Sequence, residues 1–157
     1  MIKKIISKVL TTFILAGISF CAEAQTTART IQDFDNNWKF HVGNADDAKE
    51  ISFNDAPWRS LNLPHDWSIE LPFDSTSPTG NGGGALRGGI GWYRKTFTIP
   101  ASSKSKHIFI DFDGVYMNSE VFINGHSLGV RPNGYISFCC ELTPHLYFIS
   151  YKNIFAL

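Results

Sequence analysis

Seven short runs rich in β-branched and aromatic residues divide this chain, at 38–42, 59–63, 92–99, 107–112, 115–123, 135–140 and 153–157. Each is bounded by Gly, Pro, Asn, Asp or Ser, the punctuation of strands. No amphipathic stretch of ten residues competes with them, and 45–50 has room for a single helical turn. Within the runs, apolar residues alternate. Ile108, Ile110 and Phe112 share one face, as do Val115, Met117, Val121 and Ile123, with Ser119 the exception. A period of two predicts half-buried strands. Asn124-Gly125, both tolerant of positive φ, predicts a type I′ hairpin with its return strand over 126–130. Asn133-Gly134 marks a further turn. Many short strands at this spacing predict an all-β fold, a jelly-roll or related β-sandwich.

The first 24 residues read as a leader rather than as part of the sandwich. Lys3, Lys4 and Lys8 precede an apolar run from 9 to 21, and Ala22-Glu23-Ala24 follows as a small-residue cleavage site. The run, about 13 residues, is too short to span a bilayer. Export to the periplasm or medium is therefore expected, with the domain occupying 25–157. Lipid anchoring at Cys21 is the weaker alternative, because Phe20 stands where a small residue belongs. After Ala24 the chain carries eleven Lys and Arg against thirteen Asp and Glu. Nucleic-acid binding needs a basic face, and this balance gives none. Only Cys139 and Cys140 remain, and neighbouring strand residues point to opposite faces, so no disulfide framework is expected. No His/Cys cluster suggests a metal, and no motif suggests a cofactor.

Two segments invite functional reading. Seven of the twelve residues from 80 to 91 are glycine. They form neither phosphate-binding pattern and lead into a strand, so a long mobile connection is expected, one that also serves as a candidate rim of a ligand site. The second segment is Leu63-Pro64-His65-Asp66-Trp67, which ends a strand at proline and puts His65, Asp66 and Trp67 on a loop. A Trp face stacks on the C–H face of a sugar while Asp and His take its hydroxyls. The alternative is that Trp67 plugs the end of the sandwich and Asp66 caps a turn. Trp38, Trp58 and Trp92 read as core. Arg94 and Lys95, alternating with aromatics, read as a solvated strand face. Asp113-Gly114 reads as a turn, so Asp111 and Asp113 do not make a catalytic carboxylate pair.

The ordered motifs carry a resemblance. They run from Trp38-x-Phe40, through Trp58-x-x-Leu61-x-Leu63-Pro64-His65-Asp66-Trp67-Ser68-Ile69-Glu70, to Gly91-Trp92-Tyr93-Arg94-Lys95-Thr96-Phe97. Phe112-Asp113-Gly114-Val115-Tyr116-Met117-Asn118-Ser119, Val121-Phe122-Ile123-Asn124-Gly125, Gly134-Tyr135 and Leu142-Thr143-Pro144-His145-Leu146 follow. From about Asp33 to Leu146 the chain resembles the N-terminal sugar-binding domain of glycoside hydrolase family 2, in particular exported β-galactosidase-like enzymes. The resemblance implies a galactose-binding-like jelly roll that contacts carbohydrate. It also implies a partner barrel domain in the parent protein, where the catalytic glutamates lie. The expectation is thus a non-catalytic domain, a truncated fragment whose last strands are missing. A free-standing carbohydrate-binding module is the alternative.

Overall fold

Among the described residues, eight antiparallel strands form two sheets. The computed structural model describes residues 29–148 and 152–157, and 33–157 form one compact unit. The expected leader and Cys21 lie outside the described residues. The strands are β1 (Trp38–Val42), β2 (Arg59–Leu61), β3 (Gly91–Phe97), β4 (Phe109–Phe112), β5 (Ser119–Ile123), β6 (His126–Arg131), β7 (Phe138–Glu141) and β8 (Asn153–Ala156). The larger sheet runs β2-β1-β3-β8-β5-β6, and β4 pairs with β7 in the smaller one. The all-β expectation is met, with a 3₁₀ turn at Asp46–Lys49 where one helical turn was expected.

The Asn124-Gly125 turn has φ of 51° and 83°, and Ile123 pairs with His126 across it, as a two-residue hairpin requires. β8 lies between β3 and β5, pairing Phe155 with Lys95 on one side and with Ile123 on the other. The last of the seven runs, 153–157, therefore supplies a strand in the middle of the larger sheet. Its first residue, the fully buried Asn153, accepts hydrogen bonds from Asn124 Nδ2 (2.9 Å) and Tyr147 N (2.7 Å) and donates to Tyr147 O (2.8 Å). Buried amides cost stability unless so satisfied.

The larger sheet is buried on both faces. On one, Trp38, Val121, Ile123 and Phe155 meet Ile110 and Cys140 of the smaller sheet, which makes the sandwich. Phe34, Trp38 and Phe155 pack edge-to-face there, the arrangement that aromatic quadrupoles favour. On the other face, Trp92, Phe122 and Ala156 pack with Ala48, and Phe53 and Trp58 lie against them. This second layer erases the alternation expected over 115–123. Val121, Phe122 and Ile123 are all buried, while 115–118 leave the ladder and Met117 is exposed.

Arg94 and Lys95 also depart from expectation. Arg94 is only 1% exposed, on the Trp92 face, where its guanidinium donates to Asp55 Oδ2 (3.0 Å) and to the carbonyls of Ala48 and Glu50. Lys95, on the opposite face, donates to the carbonyls of Phe34 and Asn36 with its ammonium 4.4 Å from the Phe34 ring centroid. Both cations tie loops to β3. Cys139 is exposed and Cys140 is buried.

Candidate functional site

One row of residues across three strands supports the candidate site. β1 pairs Phe40 with Arg59 of β2 and with Tyr93 of β3, so the three side chains share a face. Two residues along β1 from Trp38, this row lies on the face that Trp38 turns to the sandwich core. The loop after β2 closes it. After the cis Leu63–Pro64 peptide, His65 turns inward until its ring lies 4.7 Å from the Phe40 ring, edge-on.

His65, 9% exposed at its side chain, is held at both ring nitrogens. Nδ1 lies 2.8 Å from Tyr93 Oη, and Nε2 lies 2.6 Å from Arg59 NH2. Nε2 also lies 3.2 Å from Glu70 Oε1, so it sits between a guanidinium that only donates and a carboxylate that only accepts. Arg59 also grips Glu70 through two bonds, NH1 to Oε2 (2.8 Å) and NH2 to Oε1 (3.0 Å). This fork geometry is the strongest form of a carboxylate–guanidinium pair. Arg59 thereby holds the Glu70 carboxyl below the usual carboxylate range, with His65 adding to the effect. Glu70 in turn raises the Arg59 guanidinium. Burial pushes the Tyr93 phenol up to about 12, so it stays protonated.

The other two sequence candidates differ from His65. Asp66 is exposed, and its Oδ1 accepts from Ser68 N (3.0 Å) and Ser68 Oγ (2.7 Å), an Asx turn that leads into the 3₁₀ turn Ser68–Glu70. Trp67, half-buried, lies over the start of β3. A Cβ at Gly91 would stand 2.9 Å from Trp67 Nε1 and 3.3 Å from Phe40 Cε2. Gly91 is thus required for this approach. Trp67 lines an open cleft of about 500 Å³ with Phe40, His41, Val42, Arg59, Glu70 and Leu71. Asp66 and His65 stand behind the cleft, one shaping the turn and one anchoring Arg59. Arg59, Glu70 and Phe40 escaped the sequence reading as site residues. Glu70 lies eleven residues from Arg59, and no local spacing couples them.

The glycine-rich segment is a closed loop rather than a loose connection. Asp74 N donates to Ala85 O, and Ser77 Oγ and Thr79 Oγ1 both donate to Leu86 O. Asp74 accepts from Thr76 N and Oγ1 and pairs with Arg87 at 2.7 Å. Together these lower its carboxyl to about 2.

No family model matches the chain. Over 118 residues it is 58% identical to a β-galactosidase of Bacteroides ovatus, a match covering 75% of this chain and 14% of that protein. A glycosyl hydrolase family 2 member from Bacteroides cellulosilyticus superposes with a TM-score of 0.77 at 40% identity, over 80% of this chain and 17% of that one. The chain corresponds to one domain of glycoside hydrolase family 2. A putative β-glucuronidase of Formosa agariphila is also 47% identical over 133 residues, 85% of this chain and 13% of that relative. A β-galactosidase and a putative β-glucuronidase thus share this domain. The chain spans about a seventh of their length.

Proposed function

We propose that this chain is the sugar-binding, non-catalytic N-terminal domain of an exported family 2 glycoside hydrolase of the β-galactosidase type. The observation that carries this reading is the composition of the cleft beside Trp67. Glycoside hydrolysis uses two carboxyl groups flanking the bond. Among the residues lining this cleft Glu70 is the one carboxylate, and Arg59 engages both its oxygens. A concave, mostly apolar surface with a few fixed polar groups suits binding instead. Trp67 offers its ring to the apolar face of a galactoside-type sugar, Asp66 sets the turn that carries it, and His65 holds Arg59 in place. The similarity to the Bacteroides ovatus β-galactosidase supports the galactoside class.

The test uses the purified chain with galactose and galacto-oligosaccharides, followed by tryptophan fluorescence. Saturable quenching that Trp67→Ala abolishes, without turnover of a chromogenic galactoside, is expected. Turnover that survives removal of any contaminating activity, or quenching unchanged in Trp67→Ala, would overturn the assignment.

A further inference from the structure

On a different part of the domain, two loops present an aromatic platform. Tyr116 is 67% exposed and Tyr135 86%, their rings perpendicular with centroids 6.3 Å apart. Met117 and Ile136 beside them are 51% and 60% exposed. The exposure is built into the backbone. A Cβ on Gly134 would stand 2.7 Å from Met117 N and 3.1 Å from Tyr116 Cα, so the loops cross at a distance only glycine permits. Asn133 Oδ1 accepts from Tyr135 N at 2.8 Å, and Asn118 sits at φ 62°. Ser119 and Arg131 pair across β5 and β6 where these loops begin and end. Ser119 Oγ and Arg131 Nε are both buried and have no hydrogen-bond partner among the described residues. The Arg131 guanidinium lies over Phe138, 5.1 Å from the ring centroid.

We infer that this platform is the face on which the remainder of the family 2 enzyme packs, presenting an apolar surface and an oxygen that accepts from Arg131 Nε. The inference rests on the reading of the chain as one domain of such an enzyme. Three observations favour this occupant. The mixture of Tyr, Met, Ile and Arg is that of protein interfaces. Met and Ile have no flat face for a sugar, and perpendicular tyrosines cannot both stack on one ring. The Bacteroides ovatus relative has 86% of its length outside the matched segment, so a large surface is at hand to cover the patch. Contiguous exposed apolar groups on a fixed scaffold mark such contacts.

The experiment compares the chain alone with the full-length Bacteroides ovatus β-galactosidase carrying this chain's matching residues in place of its own. Met117 is oxidised with dilute peroxide and Tyr116 and Tyr135 are nitrated, with Tyr147 as internal reference, and labelling is mapped by mass spectrometry. The three platform residues should label about tenfold more slowly in the long enzyme, as groups that react only on local opening do. Tyr135→Ser should leave the melting temperature of the chain alone unchanged and lower that of the long enzyme. Equal labelling in a chimera that turns over galactoside overturns the docking face and leaves the family reading standing. Concentration-dependent protection of the chain alone would assign the face to a second copy, and protection by galacto-oligosaccharide would assign it to sugar. Either outcome overturns the inference. A chimera without turnover or protection overturns the family reading as well.

Discussion

Arg59 NH2 stands 2.6 Å from His65 Nε2 while the same guanidinium takes both oxygens of Glu70. One cation thus joins the loop wall of the cleft to β2. Removing it in Arg59→Gln should let the Glu70 carboxyl rise toward its ordinary value, about 4.3. The sign is set by the lowered folded value. The pair's contribution is complete above the ordinary Glu range and fades as pH falls through the lower folded value. Carboxyl NMR titration of the two proteins checks this, and an identical Glu70 midpoint in both would refute Arg59 as the cause.

Arg94 offers the largest stability effect. It is buried with Asp55 and two carbonyls as partners. Arg94→Met keeps much of the volume but strands those acceptors, and breaking a buried pair from one side costs about 3–5 kcal/mol. Urea unfolding should show a loss in that range. A loss comparable to that of an exposed pair, about 1 kcal/mol or less, would mean that solvent reaches Asp55 and replaces the guanidinium.

Much of the strand layout was legible because it is local. The run at 38–42 is β1, and the Asn124-Gly125 turn has the dihedrals its residues favour. What escaped depends on long-range topology. β8 enters between β3 and β5, a choice no local pattern encodes. A second layer of Ala48, Phe53 and Trp58 then buries Phe122 as well as its neighbours, so period-two reading loses its meaning there. The burial of Arg94 has the same origin, since its partners lie about forty residues away in sequence. At the candidate site, His65, Asp66 and Trp67 were legible as a loop of polar and aromatic residues. Their division of labour was not, because it is set by Arg59, Tyr93 and Gly91 on three separate segments.

Gly91 should tolerate no side chain while Trp67 keeps its place. Gly91→Ala puts a methyl 2.9 Å from Trp67 Nε1. Overpacking of this kind costs about 1–3 kcal/mol, and the ring must swing away from the cleft. The same substitution made in Trp67→Ala should be milder, with a coupling of about 0.5–3 kcal/mol between the two sites. Thermal denaturation of the four proteins in the cycle measures it. Additive losses would place the clash elsewhere.

The closed loop over 74–87 should hold at a pH where most carboxylates have lost their charge. Thr76 supplies two hydrogen bonds to the Asp74 carboxylate and Arg87 supplies a third, and its pKa falls to about 2. A depressed folded pKa means that the ionised form stabilises the loop. The contribution is complete above the unfolded value, about 3.9, and is lost only as pH falls through the folded one. Near pH 3 the loop should therefore remain closed. Pepsin, active in this range, should spare 75–86 in the native chain at pH 3 and begin to cut as the pH approaches 2. Asp74→Ala removes the acceptor for both Thr76 and Arg87, so its loop should be cut at pH 3 already. If both proteins are cut at the same rate from pH 4 to pH 2, the carboxylate does not hold the loop, and the Ser77 and Thr79 bonds to Leu86 are what close it.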